Sequence, residues 1–220
     1  MARKPAASGG GRAASAGDNA AKKKINLALQ GGGAHGAFAW GVLDRLLEDD
    51  RLEVEGIVGT SAGAMNAAVV AYGLTTGGAK GGREALTAFW RKISEAARMS
   101  PLQPSIWDKL FKPGGLEMSP GWIFYDAVSR VFSPYQLNPT NYNPLRDVLG
   151  SIIDFEAFHR ERKIKLFTCA SNVLTGKIRV FDNENVSLDA VMASACLPFL
   201  FQAVEVDGEY YWDGGYMGKP

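Results

Sequence analysis

Apolar residues first gather in Ile25-Asn26-Leu27-Ala28-Leu29-Gln30, a short run that ends in three glycines and predicts a buried strand. Beyond the glycines, Ala39, Val42, Leu43, Leu46 and Leu47 recur at helical spacing, with Asp44, Arg45 and Glu48 turned away. Val54 to Val58 predicts a second strand, and Ala62 to Tyr72 a second helix rich in small residues. Strand, helix, strand and helix in this order imply parallel strands with right-handed crossovers, hence an α/β sheet. Gly73 to Gly82 holds five glycines in ten residues and predicts a loop, followed by a helix with Leu86, Phe89, Trp90 and Ile93 on one face.

The pattern then breaks. Residues 99 to 144 carry seven prolines and eight of the 23 aromatic residues, which marks a loop-rich segment or a lipid-contacting cap over the site. Strand character returns at Ile164 to Ala170, and Lys177 to Phe181 is placed to pair with it after a Thr175-Gly176 turn. Ser187 is a helix cap for a segment running to about Cys196, and Ala203 to Val206 with Glu209 to Trp212 form a hairpin around Asp207-Gly208.

Composition changes this picture in three places. The 220 residues are 46% apolar, enough for one sizeable core. Net charge is +1, but residues 1–24 hold six Lys or Arg against one Asp, leaving the body from residue 25 to 220 mildly acidic. That basic tail is rich in Ala, Gly and Ser, lacks the apolar stretch of a secretory signal, and is expected to be disordered. No stretch approaches the roughly 18 apolar residues of a spanning helix, so a cytoplasmic protein, peripheral at most to a membrane, is expected. Cys169 and Cys196 form no metal or disulfide spacing and read as free thiols.

Gly59-Thr60-Ser61-Ala62-Gly63 matches G-x-S-x-G between a predicted strand and a predicted helix, where a sharp turn presents the Ser61 hydroxyl at the sheet edge. Gly31-Gly32-Gly33-Ala34-His35-Gly36 also follows a strand and opens a helix, so its N–H groups suit an anion. It fits a dinucleotide fingerprint too, yet the second strand ends in Gly59-Thr60-Ser61 rather than in an acid for the ribose. The two turns therefore read together as nucleophile and oxyanion hole. Of the two histidines, His35 belongs to the glycine loop, and His159 lies in a charged run that predicts a solvated surface. Asp213-Gly214-Gly215 ends a predicted strand, where glycines bring the backbone close; a turn is the alternative reading.

Taken in order, the glycine loop, G-x-S-x-G and D-G-G resemble the patatin-like phospholipases, from about Ile25 to the chain end. Ala193-Ser194-Ala195-Cys196-Leu197-Pro198 resembles the small-residue and proline segment preceding that family's Asp motif. The resemblance implies a three-layer α/β/α sandwich with a mainly parallel central sheet over residues 25–220. It also implies hydrolysis of phospholipid or other acyl-ester lipids by a Ser61–Asp213 dyad, with oxyanion N–H groups in the Gly31 to Gly36 loop. No metal or cofactor is implied, and Asp182-Asn183-Glu184-Asn185 lacks the glycine and distal Glu of a calcium loop. His35 stands where the family usually has Arg or Lys. The chain stops at Pro220, whereas family domains generally continue, so a C-terminally shortened domain is expected. Acyl transfer by the same dyad and a non-catalytic lipid- or phosphate-binding module are the alternatives. No nucleic-acid partner is expected.

Overall fold

A computed structural model describes residues 21–98, 132–161 and 163–218. Its sheet runs β1 (Lys23–Leu29), β2 (Leu52–Gly59), β3 (Lys165–Asn172), β6 (Glu209–Asp213) and β5 (Val204–Val206), with β4 (Ile178–Phe181) also paired to β3. The pairs β1–β2 and β2–β3 are parallel, and β4, β5 and β6 join in antiparallel fashion. The helices are α1 (Gly36–Leu47), α2 (Ala62–Arg98), α3 (Pro134–Leu137), α4 (Pro144–Gly150), α5 (Phe155–Glu161) and α6 (Leu188–Ser194).

One detail of the register decides where chemistry can occur. Thr168 of β3 is paired with Gly59 of β2 on one edge and Phe181 of β4 on the other. Two residues on, Ala170 is paired with Arg179 of β4 and Asp213 of β6. A strand residue has only two edges, so β2 and β6 occupy the same edge of β3, end to end and pointing at each other. At about 3.3 Å per residue, Asp213 lies roughly 7 Å beyond the level of Gly59.

Helices α1, α2, α4, α5 and α6 pack in a core against the sheet face that carries Leu27, Ile57 and Leu166. Leu43 and Leu47 of α1, Val69, Leu86 and Phe89 of α2, Leu149, Phe158 and Val191 all enter it. The opposite face presents Ala28, Val58 and Phe167 in one register row, with Phe167 38% exposed.

Several expectations need correction. β1 begins at Lys23, whose N–H donates to the Arg51 carbonyl at 2.7 Å, so Lys23 and Lys24 belong to the strand rather than to a tail. It is not a buried strand either. At the sheet edge, only its alternate residues Ile25, Leu27 and Leu29 reach the core. Nor is Gly73 to Gly82 a loop: α2 is helical throughout except at Gly78, where φ 61° and ψ −153° fold it into two limbs. The glycines serve packing between those limbs, since a Cβ on Gly73 would lie 2.5 Å from the Gly81 carbonyl oxygen. The caps and turns behave as expected. The Ser187 hydroxyl accepts from the Ala190 N–H, α6 ends at Ser194, and Asp207 and Gly208 turn the β5–β6 hairpin with φ 53° and 80°. Residues 1–20 and 99–131, where most of the basic tail and of the aromatic segment fall, lie outside the described residues.

Candidate active site

The turn after β2 is tight because small residues allow it. A Cβ on Gly59 would sit 2.4 Å from the Gly63 carbonyl oxygen, and one on Gly63 would sit 2.1 Å from that of Leu29. Between them Ser61 adopts φ 59°, a left-handed conformation costing an L-residue about 1–2 kcal/mol. Hydrogen bonds hold it there. The Thr60 N–H donates to Leu29 O at 3.2 Å and the Gly63 N–H to Thr60 O at 2.9 Å. The Ser61 N–H donates to the hydroxyl of Ser194 at 3.1 Å. Ala62 begins α2, so the Ser61 hydroxyl stands at the positive end of a long helix.

The glycine loop divides into two parts. Gly31 lies against the serine, with an added Cβ only 2.7 Å from Ser61 Cβ and 3.3 Å from its Oγ. Gly31 and Gly32 join Gln30, Thr60, Ser61, Asp213 and Gly215 around a cleft of about 150 Å³. Gly33, Ala34 and His35 form a 3₁₀ turn leading into α1, in which His35 is exposed and its Nδ1 lies 3.0 Å from Gly32 O. Gly36 is buried beneath Trp90, and its carbonyl accepts from Asn66 Nδ2 at 2.9 Å. Asn66 Oδ1 in turn accepts from Trp90 Nε1 at 3.0 Å, tying α1 to both limbs of α2.

Asp213 reaches the cleft from the end of β6 and is 3% exposed. Its Oδ1 accepts from the Gly215 N–H at 2.7 Å, and its own N–H donates to Cys196 O at 2.8 Å. Gly214 passes so close to β3 that a Cβ would meet the Cys169 carbonyl oxygen at 2.3 Å. Burial pushes the Asp213 carboxyl above its ordinary pKa, and hydrogen bonds from the Ser61 hydroxyl and the Gly215 N–H partly offset this. The two residues from opposed strand ends thus meet in one cleft.

His159 is not a solvated residue. It is half-buried on α5, with Nε2 2.8 Å from Val186 O, and neither histidine lines the cleft. Cys196 is buried, which pushes its thiol up to about 12, and Cys169 places its sulfur 3.2 Å from Thr60 Oγ1. Among the described residues, no His, Cys, Asp and Glu group is placed to hold a metal ion, and no helix is long and apolar enough to cross a membrane.

Sequence reasoning missed Ser194 and Asn66. Ser194 lay inside a recognised small-residue run, but a bond to a residue 133 positions away has no local signature. It also missed a second cavity, about 630 Å³, whose walls include Pro198, Phe199, Trp212, Tyr216 and Met217. Trp212 and Tyr216 flank the Asp213 motif in sequence. Phe132 and Tyr135, from the described end of the aromatic segment, line the cavity as well.

A serine on a strand-to-helix elbow, a buried carboxylate and the glycines Gly31 and Gly32 line one cleft on an α/β sheet. The chain belongs to the patatin-like phospholipases: the family model described as Patatin-like phospholipase matches residues 27–219. Members of that family are lipid hydrolases. Among solved structures, VipD from Legionella pneumophila is similar at 18% identity and a TM-score of 0.47. The match covers 90% of this chain and 47% of VipD, so this chain spans under half of that protein's length.

Proposed function

We propose that this chain hydrolyses acyl esters of lipids, with Ser61 as nucleophile and Asp213 as general base. The observation that carries this is Ser61 and the nearly buried carboxylate of Asp213 lining one cleft with Gly31 and Gly32. Serine is a weak nucleophile until a positioned group takes its proton, and among the described residues the one titratable side chain lining the cleft is Asp213. Ser61 Oγ attacks the ester carbonyl carbon while its proton passes to Asp213. The carbonyl oxygen becomes an oxyanion beside the N–H groups of Gly31 and Gly32 and the N-terminus of α2. As the tetrahedral intermediate collapses, the departing alcohol takes the proton from Asp213 and leaves an acyl-Ser61. Water then gives a proton to Asp213, attacks the acyl carbon and releases the acid, and Ser61 recovers its proton.

The apolar cavity lined by residues that flank the Asp213 motif supports a lipid rather than a small polar ester, because Phe199, Trp212 and Met217 offer an acyl chain an apolar surface. Phe199, Tyr216 and Met217 are each more than half exposed, which suits the mouth of such a site for contact with a lipid surface. The reading is tested by fatty-acid release from phosphatidylcholine vesicles by the wild type and Ser61→Ala. Release by the wild type and background-level release by a folded Ser61→Ala protein are expected. Equal release by both would remove Ser61 from the chemistry.

A further inference from the structure

The C-terminal end of α6 makes one contact to each member of the dyad, and both contacts are to backbone. The Ser194 hydroxyl accepts the Ser61 N–H at 3.1 Å, and two residues later the Cys196 carbonyl accepts the Asp213 N–H at 2.8 Å. Ser194 is completely buried, 0% exposed, at the last helical position of α6. The peptide it holds is the one entering Ser61, the residue with φ 59°. Such a conformation persists only where its surroundings over-determine it. The neighbouring Thr60 and Gly63 amides are held by Leu29 and Thr60 carbonyls within the elbow and β1, and neither contact links the elbow to the base. Ser194 makes that link, on the same short segment that fixes the backbone of Asp213.

We propose that Ser194 is a positioning residue for catalysis: its hydroxyl sets the peptide plane of Ser61 and, through the shared segment to Cys196, the placement of the nucleophile against Asp213. The inference rests on the dyad assigned above. Misplacement of reacting groups lowers the rate of the chemical step more than substrate binding. Loss of this bond would leave the Ser61 N–H without an acceptor in a protein interior, and the elbow would relax away from its strained geometry.

The test compares Ser194→Ala, Ser194→Cys and Ser61→Ala with the wild type, on a soluble short-chain ester and in the rate of labelling by a fluorophosphonate. Alanine removes the acceptor and leaves a gap, whereas cysteine fills the space with a poor acceptor. Both Ser194 variants are expected to lose about tenfold or more in kcat and in labelling rate, with KM within about twofold, at a temperature where thermal scans show them folded. If Ser194→Ala does not fold, Ser194→Cys decides alone. Wild-type rates in the folded Cys variant, or a loss confined to KM, would overturn the proposal. An active, labelled Ser61→Ala protein would instead overturn the dyad itself, a different outcome from any result at Ser194.

Discussion

The Asp213 carboxylate, 3% exposed and held by the Gly215 N–H, weakens the fold whenever it is ionised. The sign follows from its raised pKa. Between the ordinary carboxylate value and the raised folded one, the folded state binds more protons than the unfolded chain, so stability falls as pH rises. Above that window the full cost is present, and it is present at the pH where an ionised base is needed. Asp213→Asn should therefore raise the melting temperature at neutral pH while lowering kcat by about 10² or more. Differential scanning calorimetry beside ester turnover checks both, and a less stable, fully active variant would contradict the assignment. For the wild type, kcat/KM should rise with pH through the shifted Asp213 value and then level. The positive φ of Ser61 belongs to the same trade between fold and chemistry, a cost concentrated at the proposed nucleophile.

At the scale of elements, periodicity and turn chemistry located most of the parts. The apolar residues of Val54 to Val58, the helical stripe from Ala39 to Leu47 and the Asp207-Gly208 turn are local signals, and the observed β2, α1 and β5–β6 hairpin lie on them. Glycine misled where its purpose was contact rather than a turn. In α2 the glycines look like a loop because their advantage appears only when the two limbs are side by side, Gly73 against Gly81. This has a measurable consequence. Gly73→Ala forces a Cβ to 2.5 Å from a backbone oxygen and should cost about 1–3 kcal/mol. That corresponds to a melting temperature lower by several degrees. Gly77→Ala, where no atom lies within 4 Å of the added Cβ, should be neutral or slightly stabilising, so an equal loss in both would refute the packing account. The candidate site was legible in part for a related reason. The elbow and the D-G-G turn are motifs in sequence, but their meeting depends on β2 and β6 sharing an edge of β3, through Gly59 with Thr168 and Ala170 with Asp213, pairings between residues distant in sequence.

The whole molecule sets the site at a gap in its own sheet. β2 runs into the gap and becomes the elbow, β6 runs in from the other side and ends at Asp213, and β3 passes behind both, touching Thr60 and Gly214 through Cys169. A continuous strand at that edge would fill the space where the cleft of about 150 Å³ now lies. The proposed function places the ester of a lipid substrate in this cleft. All of this depends on Ser61 being the reacting atom's owner, and the most direct measurement is the site of covalent capture. Treated with a fluorophosphonate and analysed by intact-mass and peptide mass spectrometry, the protein should take up one phosphonyl group, carried by Ser61, with none on Ser61→Ala. No adduct on the folded wild type, or an adduct on another residue that survives Ser61→Ala, would contradict the account.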